Sequence, residues 1–352
     1  MPIVNIINKV EVGPAISGIT GDLSITGALR SSGERAATIE DAGLSLTVDG
    51  RFLAPPPFYP SAVNYVQIIS GNTVLPVTTN NNLWLENVNY TVTDTTLSGI
   101  TFNNLYGVRR DFTITSQNAL TGLNLPLLTM VGGAFSPSNM GALTSFSAPQ
   151  LTTVGGAFNP TTMAALTGFS VPQLTTVGQS FNPISLTGVT GIALPQLTTV
   201  GGSFFPQSML SLRSIEVPSL RTIGSSIDMS NTPQVAVPRL TGFSLPAITG
   251  IGGNINIIPT GLNFSGLFFG TGLRNVNGNL TVTGQALSLA SVENILVRLA
   301  ALDGTSGTTI YGGGRSVALQ GGTSAGSGVL TPTASAARIV LTGRSVTVTL
   351  NP

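Results

Sequence analysis

"APQLTTVGGAFNP" runs from Ala148 to Pro160, "VPQLTTVGQSFNP" from Val171 to Pro183 and "LPQLTTVGGSFFP" from Leu194 to Pro206, a return every 23 residues. A fixed period of that length marks a stacked-repeat architecture before local propensities are weighed. With Leu143, Phe146, Ala148, Leu151, Val154 and Phe158 as one unit, the next is Leu166, Phe169, Val171, Leu174, Val177 and Phe181. Two more follow, ending at Phe204 and Ile227. Backwards, the register holds through Leu120, Leu123, Leu125, Leu128, Val131 and Phe135 to Leu97, Ile100, Phe102, Leu105, Val108 and Phe112. It then slips: Leu240, Phe243, Leu245, Ile248, Ile251 and Ile255 come after 28 residues, placing an insertion near Asn231–Val237. A final unit fits Leu267, Leu273, Val276 and Leu280, so about eight turns are expected over residues 97–283.

Apolar spacing of three and four is also helical. Two prolines per unit argue against a helix, and Thr/Val enrichment favours strand. The prolines recur at Pro137, Pro160, Pro183 and Pro206, and at Pro126, Pro149, Pro172, Pro195 and Pro218. Proline at a corner removes no ladder hydrogen bond, and glycine takes the tight turn. The expected fold is mainly β: a parallel β-solenoid of leucine-rich-repeat type, with stacked Leu, Val and Phe inside.

The unit "ALTSFSAPQLTTVGGAFNPTTM" (Ala142–Met163) resembles the BspA-type leucine-rich repeat, "L-x-x-I-x-x-P … L-x-x-I-G-x-x-A-F". Period, proline, glycine and Ala-Phe agree together over about half the chain. It departs after the phenylalanine, where this chain has Asn159-Pro160 and Asn182-Pro183. The resemblance implies adhesion or protein recognition.

The flanks differ. Residues 1–60 read as an N-terminal arm with a β-hairpin over Leu44–Ala54, on an Asp49-Gly50 turn, and a polyproline linker, "APPPFYP" (Ala54–Pro60). Residues 61–96, with Trp84, read as an N-terminal cap closing the open solenoid edge. Residues 97–283 are the solenoid and 284–352 a small α/β cap. In that cap Ser291 can open a helix with apolar face Val292, Ile295, Leu296 and Leu299, ended by Asp303-Gly304. Thr331-Pro332 opens a second helix that stops at Gly343, and Ser345–Asn351 is a strand. The stretch Leu319–Asn351 looks like a closing module of virus- and phage-encoded repeat proteins.

Composition excludes much chemistry. The chain of 352 residues has no cysteine and no histidine, so disulfides, thiolates, a histidine base and Cys or His metal ligands are ruled out. Net charge is +1 and Lys9 is the single lysine, which leaves no footprint for nucleic acid. No apolar run reaches the length of a membrane span, and "MPIVNIINKVEVG" lacks the basic region of a secretory signal. "GGGR" (Gly312–Arg315) and "GGTSAGSG" (Gly321–Gly328) lack phosphate-loop spacing and read as turns. Paired carboxylates are the chemistry left, as in a glycan-cleaving enzyme. The best candidates, Glu216 and Asp228, sit on different strands and point outward by alternation. Glu34, Glu40 and Asp41 read as ordinary surface, and Trp84 as cap core.

The largest signal is that Phe112–Leu212 holds no Asp, Glu, Lys or Arg. At typical frequencies about 25 charges would fall in such a span. An uncharged Thr/Ser/Asn exterior suits a surface that another chain covers or that touches sugars. The candidate contact residues are Thr153, Thr176, Thr199, Asn159 and Asn182. No catalytic residue, metal or cofactor is expected. The expected role is a non-enzymatic virion structural protein (tail, fibre or capsid-surface component). Its partners would be other virion proteins, copies of itself and a host surface glycan or protein, with no nucleic acid and no membrane insertion. A cell-surface adhesin, extracellular, and a glycan-depolymerising tailspike are the alternatives.

Overall fold

The structure, a computed structural model, describes residues 105–108, 110–229, 240–258, 264, 266–283, 287–320 and 330–351, and before residue 105 strand backbones alone. Three devices bend the regular turns. The first is a proline turn: Leu174 N donates to Val171 O at 3.1 Å across Pro172-Gln173, and the same bond recurs at Leu128, Leu151, Leu197 and Leu220. Proline's fixed φ suits the second position of such a turn. The second is a glycine corner. A Cβ on Gly155, Gly178, Gly201, Gly224 or Gly252 would run into the carbonyl of the glycine one turn below, so only glycine lets the backbones stack. The third corner uses no glycine. Ser116, Asn139, Thr162, Ser185 and Ser208 hold φ between 54° and 59°, a left-handed conformation that costs a non-glycine residue about 1–2 kcal/mol.

Between the corners run short parallel strands in three columns. The valine column is Val108, Val131, Val154, Val177, Val200, Ile223, Ile251 and Val276, eight rungs that make about seven turns. The phenylalanine column is Phe112, Phe135, Phe158, Phe181, Phe204, Ile227, Ile255 and Leu280. The third runs Ile100, Leu123, Phe146 and Phe169, resumes at Ile192 and Ile215, and ends with Phe243 and Leu267. The parallel β-solenoid is therefore the fold, with the slip of 28 residues between Ile223 and Ile251; the insertion near Asn231–Val237 lies outside the described residues.

The columns meet in a dry core. Phe112, Phe135 and Phe158 stack at 5.1 and 5.3 Å, and Phe146 meets Phe135 edge-on at 5.8 Å. Met140, Met163, Leu186 and Met209 form a further buried file. Pro137 lies within the strand Phe135–Ser138, paired with Ile114, rather than at a corner. Pro160, Pro183 and Pro206 are buried at the same place in later turns.

The phenylalanine column continues past residue 283, Leu280 pairing with Val317 and Val317 with Val348. Helices α1 (Leu289–Ala300) and α2 (Pro332–Gly343) fill the other sides of these last turns. Ser288, not Ser291, caps α1, and Ala301, not Gly304, ends it; Ser291 is buried, with another task described below. Thr331 caps α2 with Pro332 in its first turn, as expected. Tyr311 is buried, its Oη donating towards Gly278 O (3.1 Å) and Ser316 O (3.2 Å). Burial pushes its phenol up to about 12, against the opposing charge of Arg315. Towards the N-terminus, Trp84 pairs in backbone register with Gly107, adding its strand to the valine sheet. Leu46–Asp49, the first half of the expected hairpin, pairs parallel with Leu23–Thr26; the other half, the polyproline linker and the side chains of Glu34, Glu40, Asp41 and Trp84 lie outside the described residues.

Three substitutions test these assignments. Gly178→Ala is expected to lower stability by about 1–3 kcal/mol through backbone overlap. Gly168→Ala, with open space around its position, should leave the thermal midpoint unchanged or slightly raised. At the left-handed corner, Thr162→Gly relieves about 1–2 kcal/mol of strain against about 0.5–1 kcal/mol of glycine entropy. Its thermal midpoint should therefore rise.

Candidate contact surface

Thr153, Thr176 and Thr199 follow one another on adjacent rungs of the valine sheet, with Thr222 next. Their neighbours in the column point inward, so these threonines point outward, and all but Thr222 are half-buried. Beside them Thr152, Thr175 and Thr198 donate their hydroxyls to the carbonyls of Thr129, Thr152 and Thr175 one turn below, at 3.0, 2.9 and 3.0 Å. Those hydroxyls are spent on the stack. The threonine file is a flat strip flanked by the glycine corner.

Asn159 and Asn182 lie elsewhere, on the outward side of the phenylalanine sheet. Asn182 Nδ2 donates to Asn159 Oδ1 at 2.9 Å, and Asn159 Nδ2 reaches Ser136 Oγ at 3.4 Å. The next rung carries half-buried Phe205, which ends the ladder. The five residues therefore form two strips on two sheets, and the asparagine amides bond first to each other.

A third file was missed in the sequence. The Oγ of Ser180 accepts Ser203 N, Ser203 accepts Ser226 N, and Ser226 accepts Asn254 N, at 3.0, 3.2 and 3.1 Å. Asn254 and Asn279 extend it to Asn279 N and Ser316 N at 2.8 and 2.9 Å. Asp111 starts it on Ala134 N at 2.7 Å. Only the change from Ala134 and Ala157 to Ser180 and Ser203 hints at it in the sequence.

Among the described residues the carboxylates do not converge. Glu216 is exposed in a strand paired with Gly191–Ala193, and Asp228 pairs with Asn256 in the phenylalanine sheet. Asp303 is tied into its own turn, the Thr305 hydroxyl holding its carboxyl below the usual range at 2.6 Å. Among the described residues no group of three or more acids could hold a metal, and no helix is long and apolar enough to cross a membrane.

The charge-free span covers more than four turns, so it wraps all sides of the column as a neutral belt. Arg110 and Asp111 lie below the belt, and Arg213, Glu216, Arg221 and Asp228 above it. No protein-family model, curated protein or solved structure matches the chain, and the likeness to the BspA-type repeat rests on motif alone.

A charge tests the strip against the core. Thr176→Arg places a guanidinium outward and should shift the thermal midpoint little, whereas Leu174→Asp buries a carboxylate at a cost of several kcal/mol. Equal midpoints for the two would overturn the inward–outward assignment.

Proposed function

We propose that the chain is a non-enzymatic assembly protein whose solenoid is a contact surface for other protein chains, in the setting of a virus particle. The neutral belt carries this reading. A charge buried in an interface loses solvation worth several kcal/mol unless it is paired, and interface cores are depleted in charge for that reason. The threonine strip adds a flat, repetitive face with few rotamers to order. The particle setting rests on the C-terminal resemblance, and a cell-surface adhesin would use the same faces. The separate placement of Glu216 and Asp228 favours binding over glycan cleavage.

A second reading has its own observation. Half-buried Phe205 stands among Asn182, Gln207 and Asp228 on the outward side of its sheet, the mixture of ring and amides that sugars engage.

The test is a single Thr176→Arg in the full chain, since one arginine adds no like charge to its file. Sedimentation and electron microscopy of the assembly should show wild type associated through the belt and the variant released from it, with unchanged circular dichroism. Wild type and variant both soluble monomers, with binding to glycan lost in Phe205→Ala, would replace this reading with the sugar-binding one.

A further inference from the structure

We infer that the C-terminal end of the solenoid is a two-fold interface with a second copy of this chain. The three columns reach that end differently. The third is closed by α1, whose side chains imitate a strand. Ser291 Oγ accepts Leu267 N at 2.7 Å and donates to Leu267 O at 2.9 Å. Asn294 accepts Phe269 N at 2.9 Å and donates to Phe269 O at 3.2 Å. The valine column is closed by a loop: Thr309 N donates to Arg274 O at 2.8 Å and Arg315 Nε to Asn277 O at 3.1 Å.

Among the described residues nothing pairs beyond Thr347–Leu350 at the end of the phenylalanine column. Its last strand, Thr347–Leu350, is outermost in its sheet. Thr347 N donates inward to Arg315 O at 2.9 Å, so by alternation the amide and carbonyl of Val348 face away from the sheet. Next to this edge, α2 exposes Ile339 at 70% and Val340 at 41%. Ala336 and Gly343 are exposed too, completing a stripe at helical spacing.

The α1–α2 contact indicates what this stripe receives. Glu293 Oε1 of α1 accepts Thr331 N at 2.7 Å, and Ala300 O accepts Arg344 Nη1 at 2.9 Å. Val297 lies on the same face, and both it and Ala300 pack against the core. Aligning the caps Ser288 and Thr331 puts Ala336, Val340 and Gly343 of α2 where α1 has Glu293, Val297 and Ala300. The stripe therefore continues an existing helix seat. Ala336, however, has no carboxylate to receive another helix N-terminus, so a third helix in the same direction would arrive with that amide unanswered. An antiparallel helix brings no N-terminus there. A two-fold copy supplies one, and sets the two Thr347–Leu350 edges antiparallel in the same step. The stripe is uncharged, and Arg344 is turned back onto Ala300 O and Leu302 O, so self-contact brings no like charges face to face.

The experiment is analytical ultracentrifugation of the full chain over about 1–100 µM, the range suited to an interface at the small end of the specific ones. Wild type should show a reversible dimer. Ile339→Glu with Val340→Glu should dissociate it at least tenfold more readily with an unchanged thermal midpoint. Val348→Pro, which removes an outward donor and leaves the helix untouched, should also weaken it. Wild type monomeric throughout, or a dimer indifferent to all three changes, overturns the inference. An assembly lost in Thr176→Arg but kept in the glutamate variant overturns it as well, and leaves the belt as the contact.

Discussion

The structure depends on backbones stacking directly on backbones at the glycine corner. Gly155, Gly178, Gly201 and Gly224 each donate an amide to the valine-column carbonyl below, at 2.8 Å every time. Each also lies against the glycine carbonyl beneath it with no room for a Cβ. A slip of one residue would turn the core file outward, and a slip that brought Val154, Val177 or Val200 to the corner would also put a side chain where there is no room for one. The register is thus set twice, by sterics at the corner and by burial in the column, and the remaining files inherit it.

Inheritance explains why unrelated chemistries recur at one spacing. Parallel strands repeat at about 4.8 Å, close to the preferred separation of aromatic rings, so phenylalanines stack without adjustment. A threonine hydroxyl reaches the carbonyl below, a serine the amide above, and an asparagine its own copy. The left-handed corner is the cost of closing the turn, and it is held by further turn-to-turn bonds, such as Thr162 N to Ile184 O at 3.0 Å.

What the sequence made legible follows from the same logic. Core files show as repeated apolar letters, so the inward residues, the parallel pairing and the 28-residue slip could all be read. Corners that need glycine or proline could be read in part. Pro137 looked like a corner because its ring is tolerated there, whereas it fills core space inside a strand. The left-handed corner was hidden because only Asn139 is of a type enriched at positive φ, while Ser116, Thr162, Ser185 and Ser208 at the same place are not. Ser291 resembled a cap because a serine before an apolar run often is one; only the neighbouring strand edge at Leu267 gives it a different partner. The contact residues were named from their polarity alone, which cannot tell a threonine facing outward from an asparagine bonded to its copy.

The neutral belt has two physical roots. In an exact repeat every residue stacks on its copy, and a charge in the repeat unit would face like charges about 4.8 Å away. Each such pair costs about 0.9 kcal/mol even in water. Charges return where the repeat degrades, each against an uncharged rung: Glu216 beside Ala193, Asp228 beside Asn256. Repetition therefore excludes files of like charge. It does not exclude alternating ones, since opposite charges across strands contribute about 0.2–1 kcal/mol per pair, and a column in water could use them on any side. None of the four turns does so. Self-repulsion accounts for the missing like charges, and the contact surface we propose would account for the missing opposite ones.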